Sequence, residues 1–267
     1  MTVASSAIKK TAKESLKNNC INAVAVSSVI LFCYLIIYCI ASSFYWVGGD
    51  VLTNIIFYLL NFLMFAPVLF GGVRYFWRML CGVSDSPLAV FYTFTSKQNY
   101  LRVLKLTAYL TLKTVFYGVL MLIPYFAVTV ISSAKVYEFL GFTIPLWSAN
   151  LSNIAVFLKS IALIGTFFLM LKYYLSPMLL AADEGMDVNE AVHMSVVISK
   201  NTVLDFIYLL FSMLGWVLLS FLFIPLIYTI PLFITVYLTH SSIAVSEYNE
   251  HIKRVNSENF PTFMAGI

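Results

Sequence analysis

The chain has 267 residues, 61% of them hydrophobic and 10% charged, and its mean hydropathy is +0.91. Soluble globular domains carry about 45–50% apolar and about 25% charged residues, so a soluble fold is excluded and the chain reads as an all-α integral membrane protein. The net charge of +4 is small, and the placement of Lys and Arg along the chain says more than their sum.

Residues 4–19 have the pattern of an amphipathic helix. Ala4, Ile8, Ala12 and Leu16 make one apolar stripe, and Lys9, Lys10, Lys13 and Lys17 take the other faces. Such a helix suits a membrane surface of anionic lipids, where each Lys contributes about 1 kcal/mol. A basic flank that only sets topology is the competing reading. The first span follows at about 22–43, since about 20 apolar residues cross a bilayer. This run exceeds a signal-peptide core of roughly 7–15 residues, so it is expected to be retained. Phe44, Tyr45 and Trp46 then form an aromatic belt.

The second span is expected at about 51–75 and contains Pro67 and Gly71-Gly72, small residues that let helices approach closely. Arg74 and Arg78 follow. Ser84 or Asp85 is placed to cap a short helix whose first turn accepts Pro87. The third span, about 106–132, is expected to bend at Pro124. Arg102, Lys105 and Lys113 fall in its cytoplasmic half, where long side chains snorkel. Residues 133–152 read as a polar and aromatic outer loop. The fourth span, about 154–180, carries Lys159 near its outer end and Lys172 near its inner end.

Residues 181–216 are the most patterned stretch. Asp187 with Glu190 makes a capping box for a helix over 188–199. Residues 206–246 carry no Asp, Glu, Lys or Arg, enough chain for two spans at about 203–223 and 229–246. A tight turn between Pro225 and Pro231 would join them, and a single tilted span is the alternative. Residues 1–255 thus read as one six-helix membrane domain, with 256–267 as a flexible tail. Six spans put both termini and the loops after spans two and four on one side. All sixteen basic residues except Lys135 and Lys159 lie on or near that side, which makes it cytoplasmic.

A shift of 103 positions overlays the two cytoplasmic elements: Gly82 on Gly185, Ser96 on Ser199, Lys97 on Lys200, Leu101 on Leu204. Both precede an inside-to-outside span, so the overlay suggests a parallel internal repeat. The first element is basic and the second acidic, and the same shift pairs Arg102 with Asp205. The two elements are therefore expected to dock, with Arg102 against Asp205, because an unpartnered charge near the membrane interior is costly.

Chemistry-bearing patterns are few. Glu190-x-x-His193 has the spacing of a di-metal carboxylate bundle, but such bundles need two copies and further Glu residues. Glu247 and His251 read as a helix-end pair. His240, in the last span, is a functional candidate because ionisable residues inside membranes usually are. Cys20, Cys33, Cys39 and Cys81 form no CxxC pair and read as small hydrophobes. No P-loop, G-x-S-x-G, HExxH or nucleic-acid motif is present. Neither catalytic residues nor a cofactor, metal or nucleic-acid partner is expected, and the chain is not expected to be an enzyme.

Ala191, Ser195, Asp205, Ser212, Gly215 and Trp216 together carry a resemblance. In that register the chain resembles a family of polytopic membrane proteins, found mainly in Gram-positive bacteria, catalogued as domain of unknown function nine-seven-five. Ala182-Asp183 after Tyr173 and Pro177, the basic start Lys10-x-Ala12-Lys13-x-x-Leu16, and Tyr248-x-Glu250 are similar to it as well. Asn201 stands where the family has Gly. Ile164-Gly165 is the nearest remnant of the family's Ile-Pro-Gly, and 132–159 reads as an insertion. The resemblance implies a six-helix protein of a bacterial cell membrane with no assigned activity. In that setting the Asn150-Leu151-Ser152 sequon carries no weight.

Two functions follow from this. One is a non-enzymatic envelope or accessory protein acting through lipids or a partner membrane protein. The other is a small-molecule transporter or permease, suggested by the repeat, the Pro-containing helices and His240.

Overall fold

The structure, a computed structural model, describes residues 5–132, 148–220 and 224–259, and among them every regular element is helical. The elements are α1 (Ser5–Asn18), α2 (Cys20–Ser43), α3 (Tyr45–Leu60), a π-turn (Asn61–Phe65), α4 (Ala66–Leu80) and a 3-10 helix (Pro87–Phe94). After them come α5 (Lys97–Ser132), α6 (Ser148–Met170), a 3-10 turn (Leu171–Tyr173), α7 (Ser176–Ala182), α8 (Val188–Ser212), α9 (Leu214–Ser220) and α10 (Ile224–Asn259). Among the described residues, six helical segments are long and apolar enough to cross a membrane: Cys20–Ser43, Gly48–Leu80, Lys97–Val130, Asn153–Ala182, Val188–Trp216 and Tyr228–Lys253. The protein is an all-α polytopic membrane protein.

The membrane domain is built as two compact units, one of Met1–Thr107 with Leu175–Ile267, the other of Ala108–Tyr174. In the first unit α4 is central and packs against the 3-10 helix, α7, α10 and α2. Two adjacent glycines permit this. A Cβ on Gly71 would lie 1.8 Å from the Val90 carbonyl oxygen, and one on Gly72 would lie 2.6 Å from Ile30 Cδ1. Pro67 has no N–H to offer the Leu63 carbonyl four residues back. The Tyr100 hydroxyl donates to that carbonyl instead, at 2.9 Å, while Thr93 Oγ1 donates to the Pro67 carbonyl at 3.0 Å.

Helix α4 ends in a Schellman turn. Gly82, at φ +81°, lets its own N–H reach the Met79 carbonyl and the Val83 N–H reach that of Arg78. Neither Ser84 nor Asp85 caps the next helix. Its N-cap is Ser86, and the element is a 3-10 helix. Asp85 instead forms an ion pair with Arg78 at 2.7 Å.

The apolar stripe of α1 does not lie on lipid. Ile8, Ala12 and Leu16 are 5%, 0% and 0% exposed and join the core with Val236 and Leu238. Helix α10 covers the stripe because its own face offers more apolar contact than a surface helix finds alone.

Pro225 and Pro231 both lie within α10, so the turn expected between them is not there; residues 221–223, between α9 and α10, are outside the described residues. Helix α6 begins at Ser148, inside the expected outer loop, and α5 continues through Pro124. Residues 133–147 of that loop, like residues 260–267 of the tail, fall outside the described residues. The two copies of the suggested repeat differ locally. Ser96 precedes the first residue of α5, whereas Ser199 and Lys200 sit in the middle of α8. Gly82 has positive φ and Gly185 does not.

In the second unit, the large apolar side chains of α5 and α6 are mostly exposed, among them Leu112, Phe116, Val119, Phe157, Leu163 and Phe167. For membrane helices this is the surface offered to lipid or to other helices.

Candidate functional site

Two polar constellations stand out in the first unit. One is an ionic seam, in which α4 and the start of α5 present cations to the loop between α7 and α8. That loop is shaped by its own acids. The Asp183 carboxylate accepts the Gly185 N–H at 2.7 Å, and Asp187 caps α8 by accepting the Asn189 N–H at 3.2 Å. Arg74, only 11% exposed at its side chain, pairs with Glu184. Its guanidinium lies 3.2 Å from the centroid of the Tyr92 ring. Arg102 donates to the carbonyls of Asp183, at 3.0 Å, and of Met186. Lys105 donates to the Asp187 carboxylate at 3.0 and 3.4 Å. The Lys105 ammonium, helped by the Asn189 N–H, holds the Asp187 carboxyl below the ordinary aspartate range.

Arg102 therefore does not pair with Asp205. Asp205 lies seventeen positions beyond Val188 along α8, about 25 Å of helix. The planar fork of Arg102 is satisfied instead by two carbonyls of a loop that has no helical donors to spare.

Asp205 belongs to the second constellation, a cavity of about 180 Å³. Thr202, Asp205 and Leu209 share one face of α8. His240, Ile243, Ala244 and Glu247 face them from α10, and Ser5 and Ile8 of α1 close one side. The space is large enough for several water molecules or a small solute. His240 is 5% exposed, its ring 5.5 Å from that of Phe206. Two carboxylates and an imidazole around one space can hold protons or a cationic group. Helix α1 is fastened nearby: Ser5 Oγ lies 3.2 Å from Ser212 Oγ, Lys9 donates to the Ser212 carbonyl at 3.2 Å, and Lys13 lies 5.3 Å from the Trp216 ring centroid.

Of the other residues that carry the resemblance, four make packing or tethering contacts. Ala191 and Ser195 are fully buried, and Ser195 Oγ accepts the Leu175 N–H at 3.2 Å where the helix breaks ahead of α7. Ser212 and Trp216 hold α1, and Trp216 also meets the Tyr228 ring at 6.0 Å. Gly215 has open space where a Cβ would go. Glu190 and His193 are both exposed. Among the described residues no three His, Cys, Asp or Glu side chains cluster so as to hold a metal. All four cysteines are free thiols.

Charge patterning along the chain pointed to the seam but not to its pairs, and Tyr92 and Tyr100 carried no signal beyond aromaticity. His240 and Asp205 were each visible as ionisable groups in apolar sequence, but their shared cavity was not. Compared with protein families, curated proteins and solved structures, the chain matches none.

Proposed function

We propose that the chain is a non-enzymatic envelope or accessory protein of a bacterial cell membrane, acting through lateral contacts with lipids or a partner membrane protein. The observation that carries this reading is the surface of α5 and α6, where large apolar side chains are exposed from Leu112 to Val130 and from Ile154 to Phe168. An even number of spans and the cationic residues Arg74, Arg78, Arg102 and Lys105 support cytoplasmic termini. Kinship with the domain of unknown function nine-seven-five rests on Ala191, Ser195, Ser212, Gly215 and Trp216, and the burial of Ala191 and Ser195 suits residues that define a fold.

The test is photo-crosslinking in native membranes from a reactive residue placed at Phe116 or Phe167. A discrete protein adduct, or enrichment of one lipid class over the bulk membrane, is expected. Recovery of the bare chain with bulk lipid composition would overturn the reading.

The second reading, transport of a small solute, is favoured by the cavity between Asp205, His240 and Glu247. It predicts uptake into proteoliposomes that Asp205→Asn abolishes.

A further inference from the structure

We propose that α1 is a lid over the cavity of Asp205, His240 and Glu247, and that anionic phospholipid lifts it. This rests on the reading above that the chain works in contact with lipid. Ser5 and Ile8 are the residues that α1 contributes to the cavity wall, so the start of this helix covers empty space. A side chain over a void has no partner atoms on that side and loses their dispersion contacts. The far end of the helix is packed, with Leu16 fully buried in the core. Holding is thus uneven along α1, and its first two turns open at least cost. Just beyond Leu16 stands a pivot. Asn19, at φ −126° and ψ 25°, breaks the chain between α1 and the span that α2 begins. A swing about Asn19 moves Leu16 least and Ser5 most, and the adjoining span keeps α1 within reach of the headgroups.

Two lysines decide between the closed and open positions. In the closed one Lys9 donates to the Ser212 carbonyl at 3.2 Å, and Lys13 stands 5.3 Å from the centroid of the Trp216 ring. Ser5 Oγ, 3.2 Å from Ser212 Oγ, adds one hydrogen bond. The two hydrogen bonds are exposed and compete with water, so each holds weakly. A phosphate headgroup is a stronger partner for an ammonium than a neutral carbonyl is. It also draws Lys10 and Lys17, which are exposed on the outer face. The apolar stripe has a second partner too. On leaving α10, Ile8 and Ala12 exchange its face for acyl chains, as an amphipathic helix on a bilayer does. Anionic lipid therefore binds the open position better than the closed one and shifts the equilibrium between them.

The test follows the half-buried Asp205 in the full chain, reconstituted into nanodiscs of phosphatidylcholine or phosphatidylglycerol. A water-soluble carbodiimide with an amine labels carboxylates, and mass spectrometry measures Asp205 relative to the exposed Glu190. That ratio corrects for reagent gathered at the anionic surface. Asp205 is expected to react about tenfold faster in phosphatidylglycerol; an equal rate in both lipids overturns the proposal. Lys9→Gln with Lys13→Gln should cut this lipid effect by about threefold, and an unchanged effect overturns the role of the two lysines. Ser5→Cys with Ser212→Cys, in a chain whose four native cysteines are replaced by serine, ties α1 shut as a disulfide. Oxidation should abolish the lipid effect and reduction restore it. No disulfide in phosphatidylcholine overturns the closed position. A lipid effect that survives oxidation overturns the lid, while lateral contact through α5 and α6 stands or falls by the crosslinks at Phe116 and Phe167.

Discussion

The hydroxyl of Tyr100 donates to the carbonyl of Leu63 at 2.9 Å, the acceptor that an N–H at position 67 would have bonded had that residue not been proline. A side chain from the start of α5 thereby repairs the backbone of another span. Tyr100→Phe removes this hydrogen bond and should cost about 0.5–1.5 kcal/mol, read as a lower unfolding temperature in detergent. Tyr58→Phe, at an exposed tyrosine, should change nothing. Pro67→Ala restores the N–H, so in that background Tyr100→Phe should cost much less; an undiminished cost would mean that the phenol matters through packing.

Gly71 sits where the 3-10 helix presses on α4. Gly71→Ala places a methyl 1.8 Å from the Val90 carbonyl oxygen, and because that neighbour is backbone, the 3-10 helix must move away. The expected result is a loss of about 1–3 kcal/mol and faster proteolysis of the segment around residues 82–95. Gly215→Ala, where nothing crowds the added atom, should be tolerated. Equal damage from both substitutions would show that close approach is not what Gly71 provides.

Arg102 holds the loop between α7 and α8 by two backbone carbonyls. Arg102→Met should loosen it, seen as faster cleavage by a glutamate-specific protease after Glu184. Because the acceptors are carbonyls, Arg102→Asp should not be rescued by Asp205→Arg. A clear rescue would place the two side chains together and contradict the arrangement described.

Asp187 gives a pH dependence of known sign. Its carboxyl titrates below the ordinary aspartate range because the Lys105 ammonium and the Asn189 N–H favour the charged form. Its contribution is therefore complete above the unfolded-state value of about 3.9 and fades as pH falls through the lower folded-state value. The stability difference between wild type and Asp187→Asn should be flat from pH 5 to 8 and shrink only in stronger acid. High salt should reduce it, since the pair is exposed. A difference that changes near neutral pH would point to a different group.

Leu16 is fully buried in the core that α1 shares with α10. Leu16→Ala should cost about 2–5 kcal/mol, with α1 becoming accessible to trypsin at its lysines. Lys10→Gln and Lys17→Gln, at exposed positions, should leave the fold unchanged. Were the helix held only by lipid, the order of severity would be reversed whenever anionic lipid is present.

The legible parts of this protein were those that a short window of residues decides. The stripe of Ile8, Ala12 and Leu16 identified α1 as amphipathic, and Asp187 was recognisable as a helix cap. Gly71-Gly72 marked a close approach. Each depends on spacing within one or two helical turns, so it survives without knowledge of the rest of the fold. What the stripe faces was another matter: α10, 220 residues on and apolar in its own right, competes with lipid for it and covers it.

The same division holds for the whole chain. Hydropathy summed over some 20 residues, set against the thickness of a bilayer, determined by itself that the chain is a helical membrane protein, and it left one span or two open over residues 206–246; among the described residues six helical segments are long and apolar enough to cross. Only the tertiary structure decided which polar groups meet. It put Arg102 on loop carbonyls, Asp205 in a cavity with His240, and Lys172 on Tyr117. Partner choice among long side chains turns on separations of a few ångströms between helices distant in sequence, and no periodicity along the chain encodes those separations.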